Sequence, residues 1–478
     1  MTNVILEAAS SLQTLITQSI ARYADVPFNH RWSYAKLGKE LDARCADWRH
    51  QGLRAGDVVT IRSRDREEAM LSLLAALLME VIPLPIHGQA PDDVDQQFAE
   101  RVGARFAIRE GELQTYPAAN PRPHEDTLAI IACTSGTTGW SKLVRHSHAT
   151  ILSNLRGVLS YLTVPPHSTF LVLRDPSYLS VITSEILLGL LFGAQVEFAT
   201  LPLTPNHVVQ QIGDLGATAI FSVPSLMHNC VHAFRRNLAH LERLQLIQLG
   251  GEGSTVDTVS ALRDALPHVE VMVCYGMTEM ATRITFWSDR QHPLRPYCVG
   301  EPIPHVAIRA VGDDGAPLGP SEPGRIQISS PSTMLGYIGD SGPSPEWFQT
   351  GDWGWVDPDG LVYLQGRYDD MVVRGGVKMP APAIEHVLLR HPDVEGAFVM
   401  ALDAGPYQIK ILGAVKLRPH STSSSTDILH WSRAHLPSAL WLNKLFAVDT
   451  LPAKWTGKLD RLAFRALLTD LENWCISP

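Results

Sequence analysis

The chain has 478 residues, 45% hydrophobic and 19% charged, with a formal net charge of −9. That is enough apolar material for two or more cores and too much for a disordered chain. An acidic excess with no dense Lys/Arg block argues against a general nucleic-acid binder.

At the start, Met1 to Leu12 shows no basic segment followed by an apolar one, so no secretory signal is read there. Tyr34 to Arg49 reads as a helix with Leu37, Leu41 and Trp48 on one face. Val58 to Arg62 and Val81 to Ile86 read as strands around a helix from Arg66 to Met79. The greasiest runs, Met70 to Leu78 and Ile186 to Ala194, are too short to cross a bilayer and read as buried helices. Six scattered cysteines (Cys45, Cys133, Cys230, Cys274, Cys298 and Cys475) form no C-x-x-C pair. A zinc knuckle or redox dithiol is not expected, and a reduced, cytoplasmic protein with no membrane partner is.

The apolar run Leu128 to Cys133 reads as a buried strand, and Ser147 to Leu162 carries Ile151, Leu152, Leu155, Val158 and Leu159 at helical spacing. Between them lies Thr134-Ser135-Gly136-Thr137-Thr138-Gly139-Trp140-Ser141-Lys142. Glycines let backbone N–H groups approach phosphate, hydroxyls add donors, and the lysine adds charge. The glycine spacing is not that of a Walker loop. His146 and His148 form an H-x-H without an evident third metal ligand and read as helix-start residues.

Further strands are expected at Thr169 to Leu173, Ala219 to Val223, Leu244 to Leu249 and Val269 to Cys274, with helices between them. That order implies an α/β fold with a mostly parallel, doubly wound sheet. After Val299, short strands and turns such as Asp357-Pro358-Asp359-Gly360 suggest an antiparallel, β-barrel-like region. A boundary near Gly366 to Asp370 divides a large N-terminal domain, 1–366, from a small α+β domain, 367–478. In the small domain Ile384 to Arg390 and Asp427 to His435 read as helices, Val394 to Leu402 and Ile409 to Leu417 as strands.

Four further motifs carry chemistry, although each alone also reads as an ordinary turn or linker. Tyr275-Gly276-Met277-Thr278-Glu279 offers a flat ring, a hydroxyl and a hard oxygen ligand for Mg²⁺. Thr350-Gly351-Asp352 places a carboxylate where two ribose hydroxyls could donate to it. Gly366-Arg367-Tyr368-Asp369-Asp370 follows, and Pro452-Ala453-Lys454-Trp455-Thr456-Gly457-Lys458 lies near the C-terminus.

Taken in order with the phosphate loop, these motifs resemble those of the adenylate-forming superfamily of acyl-CoA synthetases, adenylation domains and luciferase-like enzymes, over about Trp32 to Arg461. The resemblance implies that Thr134, Ser135, Gly136, Thr137, Thr138 and Lys142 hold the β- and γ-phosphates of ATP. It implies that Gly250, Gly251 and Glu252 line the adenine, with Tyr275 stacked on it. Thr278 would contact the α-phosphate, Glu279 the Mg²⁺, and Asp352 the ribose with Arg367 nearby. Asp369 would be the hinge of a mobile small domain, and Lys458 the lysine that binds both the acid carboxylate and the bridging region of ATP. The implied reaction is acid activation to acyl-AMP, then transfer to the thiol of coenzyme A or of an acyl carrier protein.

Two departures stand out, one in the phosphate loop and one bearing on thiol transfer. Ser141 replaces the loop's usual proline, and Ala383 replaces a glutamate in the segment that helps line the thiol tunnel, where Glu385 remains as a residue near a helix start. For the acid, the resemblance points to Tyr178 as a gate and to Ser222, Val223, Met277 and Ala281 as wall. These residues include no carboxylate for an α-ammonium and favour an aryl or short-to-medium acyl acid. An amino-acid adenylation domain and a non-catalytic nucleotide- or acyl-binding relative are the alternatives.

Overall fold

The structure, a computed structural model, describes residues 2–116, 127–134, 142–253, 256–340, 342, 344–374, 377–403, 409–451 and 461–474. The Tyr34–His50 helix forms where its apolar spacing requires. Ser33 Oγ accepts from the Lys36 N–H at its start, and Leu37, Leu41 and Trp48 are fully buried. Truncating a buried tryptophan such as Trp48 to alanine costs about 3–5 kcal/mol. That helix and Arg66–Leu78 pack beside Val58–Arg62 (β1), which pairs in parallel with Ile82–Pro85 (β2) and with Phe106–Arg109 (β3). Glu112–Thr115 (β4) closes this first sheet antiparallel to β3.

Leu128–Cys133 (β5) and Leu143–Ser147 (β6) pair antiparallel. The phosphate stretch therefore joins two strands, and β6 separates it from the helix His148–Leu159. This corrects the expectation of His146 at a helix start: it is a strand residue, and only His148 opens the helix. The physical reason is the ladder, which continues past the strands at the loop base. Thr134 N–H donates to the Lys142 carbonyl (2.9 Å), and Lys142 N–H donates to Thr134 Oγ1 (3.2 Å).

Thr169–Val172 (β7), Gln195–Phe198 (β8), Ala219–Ser222 (β9), Leu246–Gly250 (β10) and Glu270–Tyr275 (β11) form a parallel sheet in the order β8-β7-β9-β10-β11. Its central strands β7, β9 and β11 are largely apolar because both faces are covered, whereas β8 at the edge alternates Gln195, Val196, Glu197 and Phe198. Phe170, Val172 and Phe221 enter one core with Ile151 and Leu155 of the His148–Leu159 helix. Leu171, Ile220 and Leu249 enter another with Val209, Phe234 and Leu262 of the helices Pro205–Asp214, Pro224–Arg236 and Val256–Ala265. Alternate residues of single strands thus feed opposite helix layers, which is the doubly wound arrangement.

Thr285–Ser288 (β12) and Cys298–Pro302 (β13) continue this sheet antiparallel. Ala307–Val311 (β14), Gly324–Ser329 (β15), Phe348–Val356 (β17) and Val362–Arg367 (β18) extend it further, in the order β13-β18-β17-β15-β14. The antiparallel strands expected after Val299 are present. They run on from the parallel sheet as an open extension, because β12 and β13 hydrogen-bond to both parts, and among the described residues they do not close on themselves. Gly336–Tyr337 (β16) leaves this group to pair with β6, Tyr337 opposite Val144.

Beyond Arg367 come a 3₁₀ turn, Tyr368–Asp370, and a hairpin of Met371–Arg374 (β19) and Val377–Pro380 (β20). The helix Ala381–Leu389, Val394–Asp403 (β21), Ile409–Leu417 (β22), the helix Ser425–Arg433, Lys444–Ala447 (β23) and the helix Arg461–Trp474 complete an α+β arrangement. It has its own cores, around Ile384, Val399 and Ile411 on one side and Phe398, Leu412 and Phe464 on the other. Glu385 lies in the helix Ala381–Leu389. It is buried, and its Oε1 accepts from the Val399 N–H (3.0 Å), tying its helix to β21. Among the described residues no helix is long and apolar enough to cross a membrane.

Candidate active site

The site is organised around Tyr275–Glu279, the turn that leaves the C-terminal end of β11. The chain doubles back so closely that a Cβ on Gly276 would lie 1.4 Å from the Thr282 carbonyl oxygen, so only glycine fits. Ala281 and the β-branched Thr282 hold left-handed φ values of 51° and 96°, a strained geometry that persists only where surroundings impose it. The surroundings do so through Asn154, whose Nδ2 donates to the carbonyls of Met280 (3.1 Å) and Arg283 (2.7 Å), and through a Thr282–Thr183 hydroxyl contact of 2.8 Å.

At one end of the turn, Tyr275 OH donates to Asp352 Oδ2 (2.5 Å). Arg367 Nη1 donates to Asp352 Oδ1 (3.1 Å) and to the Thr350 carbonyl (3.0 Å). The pairing of β17 with β18 sets Asp352 directly opposite Arg367. Gly351 is required between them, because its φ is 77° and a Cβ would sit 2.5 Å from Arg367 Nη2. Burial pushes the Asp352 carboxyl above its ordinary range, against the lowering pull of Arg367 and of the Tyr275 hydrogen bond. Burial, then the Asp352 charge, pushes the Tyr275 phenol well up. Each Asp352 oxygen keeps a second lone pair for a ribose hydroxyl.

At the other end, Glu279 Oε1 accepts from Tyr337 OH (2.8 Å). The ammonium of Lys142 lies 4.6 Å from the centroid of the same Tyr337 ring. The fully buried His146 donates from Nε2 to the Thr278 carbonyl (2.7 Å), its Nδ1 3.1 Å from Thr150 Oγ1. Burial pushes His146 down to about 4, outweighing the Thr278 hydrogen bond, so the ring is neutral at working pH. Met334 N–H donates to the Glu279 carbonyl (2.8 Å). Among the described residues, Glu279 Oε2 has no protein partner and no group of three or more His, Cys, Asp or Glu could cage a metal. A carboxylate oxygen with no partner among the described residues suits Mg²⁺, which takes one or two protein carboxylates and completes its shell from water and phosphate.

The structure thus brings Thr134, Lys142, Tyr275, Thr278, Glu279, Asp352 and Arg367 onto connected elements. Gly250 ends β10 against the carbonyl of Cys274 (3.3 Å from its would-be Cβ). Gly251 and Glu252 are exposed just beyond it, and Asp369 is exposed on the turn after β18. Ser135, Gly136, Thr137, Thr138 and Lys458 lie outside the described residues.

The acid-side residues are less united. Half-buried Tyr178 caps the start of a helix and stands edge-on to His87, ring centroids 6.1 Å apart. Ser222 is buried opposite Leu249, its Oγ unpartnered, and Val223 follows it. Met277 packs on the antiparallel core of Met280 and Ile284, whereas Ala281 is fully buried with Leu179 and Ile182 in the core between the sheets. Behind Tyr178, π-helical turns at Ile182–Leu187 bury Glu185 against Arg174 (2.8 Å).

Tyr337, Asn154 and Glu185 escaped sequence reasoning, and His146 was read only as a helix-start residue. Each acts through a partner more than ten positions or a strand away, so no local pattern marks them, although Glu185 inside the apolar run before Gly193 is a visible anomaly.

A family model described as AMP-binding enzyme matches residues 109–338, which span the phosphate loop, the Tyr275–Glu279 turn and Tyr337. The match places residues 109–338, just under half of the chain, with AMP-binding enzymes. It is 26% identical to a 2-succinylbenzoate–CoA ligase of Geobacillus sp. (strain WCH70), over 92% of this chain and 94% of that one. It is 25% identical to a feruloyl-CoA synthase of Amycolatopsis sp., over 89% and 92%. Among solved structures, the O-succinylbenzoate coenzyme A synthetase of Bacillus subtilis, in complex with ATP and magnesium ion, superposes with a TM-score of 0.82. It covers 94% of this chain and 99% of that one at 22% identity, a likeness of fold.

Proposed function

We propose that this chain is an AMP-forming acid–thiol ligase that adenylates a carboxylic acid and passes the acyl group to the thiol of coenzyme A or of a carrier-protein phosphopantetheine. The observation that carries this is the double anchoring of one five-residue turn. Tyr275 reaches the ribose-binding pair Asp352–Arg367, and Glu279 reaches the phosphate-loop side through Tyr337 and Lys142. A nucleotide laid along that turn has its sugar at one end and its phosphates at the other.

In the first half-reaction a carboxylate oxygen of the acid attacks the α-phosphorus, the bond to the β-phosphate bridging oxygen breaks, and pyrophosphate leaves. Two anions must meet, so cations decide the rate. Lys142 and Arg367 supply positive charge from this chain. Bound Mg²⁺, for which Glu279 has a free oxygen, would neutralise the departing phosphates. Lys458 is proposed to bridge acid and α-phosphate from the 367–478 domain, which turns about Asp369. In the second half-reaction the thiol sulfur attacks the acyl carbonyl, the thiol proton is lost, and AMP leaves. The free cysteines Cys133 and Cys298, half-buried and unbridged, suit a reducing, cytoplasmic setting.

The acid is proposed to be aryl or short-to-medium acyl, lacking an α-ammonium. Asp175 is the carboxylate nearest Tyr178 in sequence, but it is buried. Its Oδ1 accepts from the Ser177 N–H (3.0 Å) and its Oδ2 faces His87 Nε2 (3.7 Å), so it is already engaged.

ATP–pyrophosphate exchange measured across aryl, fatty and amino acids tests the reading. Exchange dependent on an aryl or short acyl acid is expected, and ATP binding without exchange for any acid would overturn it. Lys458→Ala is expected to lower exchange by about 10³-fold while sparing thiol transfer from preformed acyl-AMP; loss of both would remove the role assigned to Lys458.

A further inference from the structure

We propose that Tyr337 is a positioning residue that sets the metal-binding carboxylate and the phosphate-loop lysine at once, its hydroxyl holding Glu279 and its ring face holding Lys142. This rests on the adenylation reading for the identity of the ligand, Mg²⁺-ATP. Neither the phosphate loop nor the Tyr275–Glu279 turn contains this residue. It arrives on the two-residue strand β16, which leaves the antiparallel group to pair with β6, Gly336 opposite Arg145 and Tyr337 opposite Val144.

The pairing fixes the backbone of Tyr337 against the strand that leaves the loop. Leu335 N–H donates to the Arg145 carbonyl (2.8 Å) and Ile338 N–H to the Leu143 carbonyl (2.8 Å), so the segment is held on both sides of the tyrosine. From there the side chain spans the gap between the loop base and the turn. Its hydroxyl donates to Glu279 Oε1 at 2.8 Å, and Lys142 Nζ sits 4.6 Å from its ring centroid.

Two consequences follow for a metal-nucleotide. A carboxylate with one oxygen occupied by a phenol presents the other in a single orientation, which suits a small cation that demands near-octahedral ligands. An ammonium parked on an aromatic face is less dispersed than one on a free four-carbon stem, so less order is lost when phosphate arrives.

The two contacts can be separated. Tyr337→Phe keeps the ring and deletes the hydroxyl; Lys142→Met removes the cation and leaves the Glu279 contact. Binding of a nonhydrolysable ATP analogue, titrated calorimetrically against Mg²⁺, reads the site without turnover, and AMP without metal is the internal control. Tyr337→Phe is expected to raise the Mg²⁺ concentration for half-maximal binding by about tenfold, as expected for loss of a ligand-orienting partner, with AMP affinity unchanged. Lys142→Met is expected to weaken the analogue and leave the Mg²⁺ midpoint unchanged.

An unchanged Mg²⁺ midpoint in Tyr337→Phe overturns the proposal, as does a loss of AMP affinity parallel to the loss of analogue affinity, which would mark a purely structural role. A Mg²⁺ midpoint that shifts in Lys142→Met overturns the assignment of separate contacts, and it can be read even if Tyr337→Phe does not fold. Failure of the adenylation reading looks different: the analogue binds with normal Mg²⁺ dependence in the native chain while no acid supports exchange.

Discussion

The proposed nucleotide side and the proposed acid side of this site are built by opposite means. On the nucleotide side, residues of β6, β16, β17, β18 and of β11 with the turn after it bond directly, through the side-chain pairs Tyr275–Asp352, Asp352–Arg367 and Tyr337–Glu279 and from His146 to the Thr278 carbonyl. On the acid side, Tyr178, Ser222, Val223, Met277 and Ala281 share no hydrogen bond among the described residues, and Tyr178 and Ala281 belong to a different core from Met277. A polar ligand common to every reaction of the type can be gripped by polar residues in a fixed pattern. A variable acid is selected by the shape of apolar packing, which tolerates many sequences.

That contrast is open to direct attack. The largest expected effect is on the nucleotide side. Asp352→Asn should lower kcat/KM for ATP in exchange by about 10²-fold, because it weakens charged hydrogen bonds to Arg367 and ribose together. KM for the acid should stay within about twofold; an equal rise in both would mean the two sides are one unit.

A smaller effect is expected from Tyr178→Ala. It should change the ranking of acids in the exchange panel, with KM shifts of about tenfold for the largest acids and no change in KM for ATP. An unaltered ranking would remove Tyr178 from the acid pocket.

The smallest effect is in pH-dependent stability, where each side carries one buried group of opposite sign. Burial lowers His146 from 6.5 to about 4, so its stabilising contribution is present above pH 6.5 and is lost as pH falls toward 4. Burial raises Glu185 from 4.5 to about 7 despite Arg174, so its contribution is present below pH 4.5 and is lost as pH rises toward 7. In melting scans, His146→Gln should gain on the native chain as pH falls through 6.5 to 4, and Glu185→Gln should gain as pH rises from 4.5 to 7. Melting curves that track the native chain at a constant offset would show that neither group titrates in this way.

Much of the nucleotide side was legible because its motifs combine residue types that chemistry needs in a fixed order: hydroxyls and glycines with Lys142, Tyr275 with Glu279, and Gly351 before Asp352. The doubly wound sheet was legible for a similar reason, since β7, β9, β10 and β11 are apolar on both faces and bounded by helices with clear periodicity. Glu185 and Asn154 were not legible, because a buried polar residue shows its purpose only when its partner is known.

The one-dimensional pattern therefore determined the family of reaction, the parallel sheet and the polar residues at strand ends. Those depend on residue type, hydropathic period and turn chemistry, all of which are local. Tertiary structure alone decided that the phosphate loop joins two strands, that the antiparallel region extends the main sheet, and that β16 carries Tyr337 to Glu279 and Lys142. Strand pairing between segments nearly two hundred positions apart depends on the backbone register, and nothing in the local sequence encodes that register.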